Sequence, residues 1–285
     1  MLTSISGEDQ MDDRRQARDY RLAVIVLLYT FLGSDLVRAQ QTPQPTLDEI
    51  LLRLENNLHH YDSQVPNFFC DEHVASLMVY GKKRQSSVTD SVFRLKRVLN
   101  LDQATTFIES REIKTVNGIP AVGTHISGPS ILTGVFSGGL DTVSLSQKAC
   151  MRYTLLPIRP GEPYIVQFAT LPGNHRPPDC VLREDGSGQV FIDPATMQVK
   201  RMEAIVPHHI ILPTQTVDVW RITIDYSPIL LGGQTFWMPT KITSRATPTA
   251  DDDLAIWSFD ASYTNYHKLE VTSYILPFSN STAPR

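Results

Sequence analysis

The chain has 285 residues, of which 41% are hydrophobic and 20% charged, and its formal net charge is -4. This composition excludes an intrinsically disordered chain, which would be poorer in apolar residues and richer in charge. The nearly balanced charge also excludes a nucleic-acid binder that relies on a large positive field. The length allows one large β domain or two small domains.

The N-terminal segment has the pattern of a secretory signal peptide. Its apolar run, residues 22–33, follows a group of arginines and has about half the length that a membrane-spanning helix needs. Val37 and Ala39 satisfy the small-x-small rule, so residues 1–39 are predicted to be removed by cleavage after Ala39. Met1 and Met11 both fit as the start. The leader predicts export to the periplasm or secretion, and a membrane anchor that stays attached is the alternative.

A polar linker, residues 40–45, precedes the one predicted long helix. Thr46 and Glu49 form a T-x-x-E capping box at its start, and Pro66 marks its end. Apolar residues recur on one face of this helix: Leu47, Ile50, Leu51, Leu54, Leu58 and Tyr61. The chain shows no internal repeat and no later shift in composition. Residues 46–277 are therefore predicted to form one β domain, and residues 278–285 a polar tail.

The rest of the domain has the alternating pattern of antiparallel strands. About ten strands are predicted: 74–80, 92–99, 106–116, 164–170, 189–192, 198–206, 219–226, 236–246, 254–263 and 266–276. Asn117-Gly118 suits a tight turn with positive φ, and residues 231–234 bend the chain between two strands. His208 and His209 are expected in a loop, with no metal role. The fold class is therefore mainly β, with one helix to cover a sheet.

The three cysteines fit an oxidising compartment. Cys150 begins one strand-like segment and Cys180 follows another, so we predict a Cys150–Cys180 disulfide that closes a loop of about thirty residues, a constraint of roughly 3 kcal/mol. Cys70 is left over. It is either a buried small hydrophobe or a reactive thiol, and the adjacent carboxylates of Asp71 and Glu72 disfavour the reactive form because they raise a thiol pKa.

A glycine-rich segment, residues 123–149, interrupts the strand pattern. It is either a mobile lid with exposed apolar residues or a buried crossover connection, and the sequence does not choose between them. Together with the helix and two tryptophans it supplies the candidate groove or lid residues: Leu54, Leu58, Ile131, Leu132, Val135, Phe136, Trp220 and Trp257. Such large residues either line a ligand cavity or fill a β core.

No motif in the sequence points to catalysis. The serine-hydrolase elbow G-x-S-x-G, the zinc helix H-E-x-x-H, the pair C-x-x-C, the P-loop and the dinucleotide fingerprint are all absent from the sequence. We therefore predict no catalytic residue, no metal ligand and no cofactor. A hydrolase with dispersed catalytic residues remains the least favoured alternative.

Three C-terminal segments carry a resemblance to known proteins. Residues 191–207 (FIDPATMQVKRMEAIVP), 220–246 and 257–277 resemble a group of uncharacterised exported bacterial proteins, and their turns and strand order are similar to the LolA/LolB lipoprotein-carrier superfamily. The resemblance covers about a third of the chain. It implies an unclosed, curved antiparallel half-barrel with helices over its concave face and an apolar groove for acyl chains.

Two functions follow as expectations. The first is a non-enzymatic periplasmic protein that binds a lipid, an acyl chain or another apolar ligand in the groove, where each buried methylene contributes about 0.8 kcal/mol. The second is an envelope interaction or sensor domain that docks a protein partner. A continuous apolar cavity favours the first function, whereas a filled core with an exposed apolar patch favours the second. Neither needs nucleic acid or a membrane span after cleavage.

Overall fold

The computed structural model describes residues 44–80, 82–99, 105–121, 135–212, 215–247 and 255–270. Within these ranges, the residues from Pro45 onward belong to one compact unit. The predicted leader with its cleavage after Ala39, the candidates Ile131 and Leu132, and the C-terminal tail lie outside the described residues. No helix among the described residues is long and apolar enough to cross a membrane.

The described chain contains two α-helices, three short 3-10 segments and eleven strands. The helices are α1 (Leu47–Gln64) and α2 (Val135–Gly138), and the 3-10 segments are Gly139–Val143, Leu145–Ala149 and Gly173–His175. The strands are β1 (Phe68–Tyr80), β2 (Lys83–Leu99), β3 (Thr105–Val116), β4 (Ile119–Pro120), β5 (Met151–Leu155), β6 (Tyr164–Thr170), β7 (Ser187–Ile192), β8 (Val199–Leu212), β9 (Gln215–Leu231), β10 (Gln234–Thr247) and β11 (Ala255–Lys268).

Helix α1 begins and ends where its sequence signals predict. The Thr46 hydroxyl accepts a hydrogen bond from the Glu49 N–H, and the Glu49 carboxylate accepts one from the Thr46 N–H at 2.8 Å, which completes the capping box. The helix ends at Gln64, shortly before Pro66. Its buried residues are Ile50, Leu51, Leu54 and Tyr61, all of them on the predicted apolar face.

The strands form one antiparallel sheet that is not closed into a barrel. Its strand order is β4-β3-β2-β1-β11-β10-β9-β8-β7-β6-β5, so β4 and β5 lie at opposite ends. The predicted class, mainly β with an N-terminal helix over one face, is confirmed, with eleven strands in place of about ten. Asn117 and Gly118 have positive φ in the β3–β4 turn, as predicted, and Gly232 and Gly233 have positive φ between β9 and β10.

Several strands are longer than their local patterns predict. Strand β1 begins at Phe68 and thus contains Cys70, and β8 continues through residues 208 and 209, which were expected in a loop. Strand β11 joins most of one predicted strand to the start of the next. The reason is pairing, because the antiparallel partners of β1 and β8 extend along these residues, with one register shift in each pairing, and satisfy backbone groups that local propensity alone leaves undecided.

The sheet has an apolar inner face and a polar outer face. Alternate residues such as Phe68, Val74, Ile224 and Tyr263 are buried on the inner face, and α1 packs there. Tyr61 of α1 contacts Phe107 of β3, and α1 also approaches β5. These strands are nine positions apart in the sheet, or roughly 43 Å if it were flat, whereas α1 is only about 27 Å long. The sheet therefore curves around the helix.

The predicted disulfide is present. Cys150 and Cys180 are bonded with a Cα–Cα distance of 5.7 Å across a sequence separation of 30. Cys150 directly precedes β5, so the bond ties the loop after β6 to the sheet end. Cys70 is a free, fully buried thiol on the inner face of β1.

Candidate functional site

Two elements cover the inner face of the sheet: α1 and residues 135–149. We call these two elements together the cover. Phe136 of the cover lies in an aromatic cluster, with ring centroids 4.6 Å from Phe93, 4.8 Å from Tyr263 and 6.0 Å from Phe68. Phe136 is only 2% exposed. The described part of the glycine-rich segment is thus a buried connection packed on the sheet.

Gly139 lets this connection lie unusually close to β9. A Cβ atom at this position would lie 2.5 Å from Ile224 Cδ1 and 2.6 Å from Tyr226 Oη, distances that real Cβ atoms do not show. The neighbouring Gly138 has ordinary space, since its nearest contact would be Asp141 Oδ2 at 3.7 Å. The 3-10 segment Gly139–Val143 can pack against the sheet at this distance because Gly139 has no side chain.

Few hydrogen bonds in the described residues fasten the connection to the sheet. The Ser137 N–H and hydroxyl both donate to Glu109 Oε1, at 3.0 and 2.9 Å. The Tyr153 hydroxyl of β5 donates to the Thr142 carbonyl at 2.8 Å. The remaining described contacts of this segment with the core are made by apolar side chains, among them Phe136 and Val143.

Helix α1 is held by a similarly small set of polar contacts. The Asn57 amide donates to the Met197 carbonyl at 2.6 Å, and Arg97 donates to the carbonyls of Asp62 and Ser63 at the helix end. The Leu145 N–H donates to the Glu55 carboxylate at 2.7 Å, which joins the two parts of the cover. The cover therefore contacts the sheet largely through apolar side chains, with a few hydrogen bonds, among them those that join α1 to Met197 and residues 135–149 to Glu109 and β5.

A narrow crevice opens between α1 and the β9–β10 hairpin. Its lining includes Leu54, Leu58, Tyr61, Leu140, Val143, Phe236 and Trp237. Its volume is about 30 Å³, close to the share of one water in the liquid and roughly a tenth of the smallest usual ligand pockets. A large continuous apolar cavity is thus not open among the described residues in this conformation.

An acidic group lies close to this crevice, on the 3-10 segment that follows Gly139. Desolvation raises the pKa of Asp141 to about 6, and the negative charges of Asp62 and Glu55 on α1 raise it in the same direction. Asp141 and the helix carboxylates therefore repel each other across the two parts of the cover when all are ionised.

The candidate residues from the sequence fall into separate places. Leu54 and Leu58 line the crevice, whereas Phe136 lies in the aromatic cluster. Trp220 lies near the other end of β9, half-buried, and donates its indole N–H to Ser244 Oγ at 2.8 Å. Val135 begins α2 and Trp257 lies in β11 opposite Met78. Among the candidates whose side chains the structure describes, Leu54 and Leu58 line one crevice together, with partners from other segments that the sequence does not indicate.

A buried ionic cluster on the inner face was not foreseen from the sequence. The Arg111 Nε atom donates to both Glu72 carboxylate oxygens at 2.9 and 3.0 Å, and Ser91 Oγ donates to Glu72 at 2.8 Å. Arg111 also lies 4.9 Å from the centroid of the Phe93 ring and 3.6 Å from Glu109. The period-2 alternation of β1 places Glu72 on the inner face, but only the strand register reveals its partners.

Cys70 lies on the same face as this cluster. Desolvation, reinforced by the charges of Glu72 and Asp71, raises the pKa of the Cys70 thiol well above its usual range. The direction agrees with the effect predicted for the two neighbouring carboxylates. A protonated, fully buried thiol is unreactive, so the structure favours the role of a small buried hydrophobe.

The outer face carries a wider depression across β5 to β8. Its volume is about 570 Å³, and its lining includes Arg152, Gln167, Gln189 and Glu203. Gln167 pairs with Gln189 and Gln189 with Glu203 across adjacent strands, so these polar side chains form one row. The depression is open without any movement of the cover.

The chain is similar in fold to three solved structures. They are a LolA superfamily protein from Nitrosomonas europaea (TM-score 0.34, 10% identity, 78% of this chain and 94% of that chain covered), an outer membrane lipoprotein-sorting protein domain from Vibrio parahaemolyticus (0.36, 7%, 75% and 90%), and a DUF1329 family protein from Desulfovibrio piger (0.36, 8%, 79% and 92%). No protein-family model and no curated protein matches the chain. The similarity concerns the fold alone.

Proposed function

We propose that this chain is an exported, non-enzymatic binding protein that holds an apolar ligand, such as an acyl chain, between the cover and the inner face of the sheet. One observation carries the proposal. The cover is fastened to the sheet by only a few hydrogen bonds among the described residues, contacts the inner face largely through apolar side chains, and leaves at its edge a crevice with a mixed apolar and polar lining. The described structure is then the closed form, and the ligand enters at the crevice.

The energetics allow such an entry. Displacing Phe136, Leu140 and Val143 from the inner face would expose three apolar side chains, at about 1.5–3 kcal/mol each or roughly 4.5–9 kcal/mol together. Burying an acyl chain of about sixteen methylenes gains roughly 13 kcal/mol at about 0.8 kcal/mol per methylene. The remaining free energy of roughly 4–8.5 kcal/mol must still meet an association cost of at least about 4 kcal/mol. Only a long acyl chain can therefore replace the displaced side chains, and a much shorter chain cannot.

Export is part of the same proposal. The leader, residues 1–39, has the basic and apolar regions of a signal peptide, and the Cys150–Cys180 disulfide suits an oxidising compartment. We place the mature protein in the periplasm or outside the cell, with residues 46–277 as its binding domain. Its partners are then a lipid or an acylated molecule and, during transfer, a second envelope protein.

A pair of tryptophan substitutions on α1 tests the site. Leu58→Trp puts a large side chain into the crevice, whereas Leu52→Trp changes the exposed side of the same helix, where Leu52 is 55% exposed. With a fluorescent fatty-acyl probe, we expect Leu58→Trp to weaken binding at least tenfold and Leu52→Trp to bind as the wild type does. Equal affinities in the two variants, or no probe binding to the wild type, would contradict the proposal.

One observation favours a second function, docking of a protein partner. The inner face is filled by the cover, whereas the depression of about 570 Å³ on the outer face is already open. A partner that docks there would lose contact on Gln167→Lys or Glu203→Lys, with no effect on acyl binding. In-cell crosslinking from this face, abolished by those variants, would support docking over ligand transport.

A further inference from the structure

A row of polar groups on the inner face, which we call the polar strip, lies beside the aromatic cluster. It consists of Ser87, Thr89 and Ser91 on β2, Glu72 on β1, Arg111 on β3 and Tyr263 on β11. Glu72 lies directly opposite Ser91 on one side and Tyr263 on the other. From Ser87 to Ser91 the strip is roughly 13 Å long, given the rise of a strand.

Three atoms of the polar strip are buried without a hydrogen bond of ordinary geometry among the described residues, although the Tyr263 hydroxyl lies close enough to Arg111 and Glu72 to interact with both. The three atoms are Ser87 Oγ, Arg111 Nη2 and Tyr263 Oη. Tyr263 is 2% exposed and Ser87 7% exposed, so bulk solvent does not satisfy them. Buried polar groups are nearly always paired, and an unpaired set on β2, β3 and β11, within four consecutive strands of the sheet, indicates that a further group completes them.

The chemistry of these atoms specifies what would complete them. All three can donate a hydrogen bond, so the complementary group offers acceptor oxygens. The single positive charge of Arg111 is already shared by Glu72 and Glu109, both buried, so the cluster carries a net negative charge and disfavours an anion. A neutral, acceptor-rich group such as a glycerol ester fits this pattern better than a carboxylate or a phosphate.

The position of the strip relates it to the proposed acyl site. Phe136 contacts Tyr263 and Phe93, and Ser137 next to it is bonded to Glu109, so this part of the cover separates the strip from the apolar region under α1. When the cover is displaced, an acyl chain under α1 would have its polar end at the strip. We propose that the polar strip binds the uncharged ester head of an amphiphile whose acyl chain occupies the apolar region.

This inference rests on the proposed function, and one experiment separates the two. The wild-type mature protein is titrated with monoolein, octadecene and oleate, each delivered from cyclodextrin and measured by displacement of a fluorescent acyl probe. We expect monoolein to bind about tenfold more tightly than octadecene, which corresponds to roughly 1.4 kcal/mol, and more tightly than oleate. If none of the three binds, both proposals fail.

Tyr263→Phe supplies the decisive variant because it removes only the unpaired hydroxyl. We expect it to reduce the preference for monoolein over octadecene several-fold while its Tm is at least as high as that of the wild type. Tyr226→Phe is the matched control, since Tyr226 Oη is also buried and unpaired but lies beside Gly139, away from the strip; it should change both affinities equally. Three results would contradict head-group binding at the polar strip without contradicting the acyl site: acyl binding with no head preference, a preference for oleate, or an unchanged preference in Tyr263→Phe.

Discussion

At the scale of single residues, the inner face combines an apolar core with one buried charge cluster. Glu72 and Glu109 side chains are each 1% exposed, and Arg111 between them is 14% exposed. The burial of Cys70 follows from its place two residues after Phe68, because alternate residues of β1 share the inner face. The Glu72–Arg111 pair could not be predicted, because its members are 39 residues apart and meet only through the registers of three strands.

Removing Arg111 should destabilise the protein strongly. In Arg111→Met two carboxylates stay buried without their cation, and we expect a loss of about 3–5 kcal/mol in the free energy of unfolding. Arg94→Met on β2 is the matched control, because Arg94 and Glu112 form an exposed pair that contributes less than about 1 kcal/mol. Urea denaturation measures both, and similar losses in the two variants would contradict the buried cluster.

Cys70 should be chemically silent in the folded protein. Its thiol is fully buried and its pKa is raised by desolvation, so little thiolate forms and no reagent reaches it. Iodoacetamide at mildly alkaline pH should leave the native protein unmodified and add one label per chain in denaturant without reductant. Labelling of the native protein at the rate of a free thiol would show that β1 opens.

At the scale of elements, α1 was readable from the sequence and most strand ends were not. The capping box, the apolar face and the proline that follows the helix are all local features of the sequence around α1. Strands such as β8 and β11, by contrast, extend as far as their pairing with neighbouring strands allows. The described part of the glycine-rich segment was undecided between lid and connection. The burial of Phe136 among the rings of the sheet and the close contact of Gly139 with β9 identify it as packed on the sheet.

Gly139 should therefore control the seating of the cover. In Gly139→Val the new side chain meets Ile224 and Tyr226, so residues 135–149 must lift from the inner face, whereas Gly138→Val meets no such contact. We expect Gly139→Val to lose several kcal/mol of stability through overpacking and to bind a hydrophobic dye such as ANS. Gly138→Val should stay close to the wild type, and identical behaviour of both variants would argue against the packed connection.

The cover should also respond to pH through Asp141. Its pKa is raised in the folded protein by desolvation and by the carboxylates of Asp62 and Glu55, so the folded state binds the proton more tightly than the unfolded state. Asp141 is exposed to solvent, which screens this interaction and keeps the effect on stability small. Above pH 6 the ionised Asp141 carboxylate lowers the free energy of unfolding, and this penalty disappears as the pH falls toward 4. Asp141 therefore makes the protein more stable on acidification through that range. Asp141→Asn should remove this component of the pH profile in thermal unfolding, and an unchanged profile would contradict it.

At the scale of the whole molecule, the fold is an open sheet of eleven strands among the described residues. The cover occupies the inner face of this sheet, where a ligand would bind. The fold class followed from alternation, one amphipathic helix and the turn rhythm of the C-terminal segments. The site did not, because crevice residues such as Phe236 and Leu140 come from distant segments that only the folded sheet brings to α1. Because the cover occupies the inner face, a ligand can bind there only if it displaces the cover.

Native mass spectrometry tests that requirement most directly. The mature protein is purified from an envelope fraction without detergent, its intact mass is measured, and an organic extract of the same sample is analysed. We expect a second population heavier by the mass of one lipid or acylated molecule, with that molecule recovered in the extract. A protein that is empty on purification, and stays empty after incubation with phospholipids, monoolein and acylated peptides, would contradict the carrier function and leave docking of a protein partner as the function of this fold.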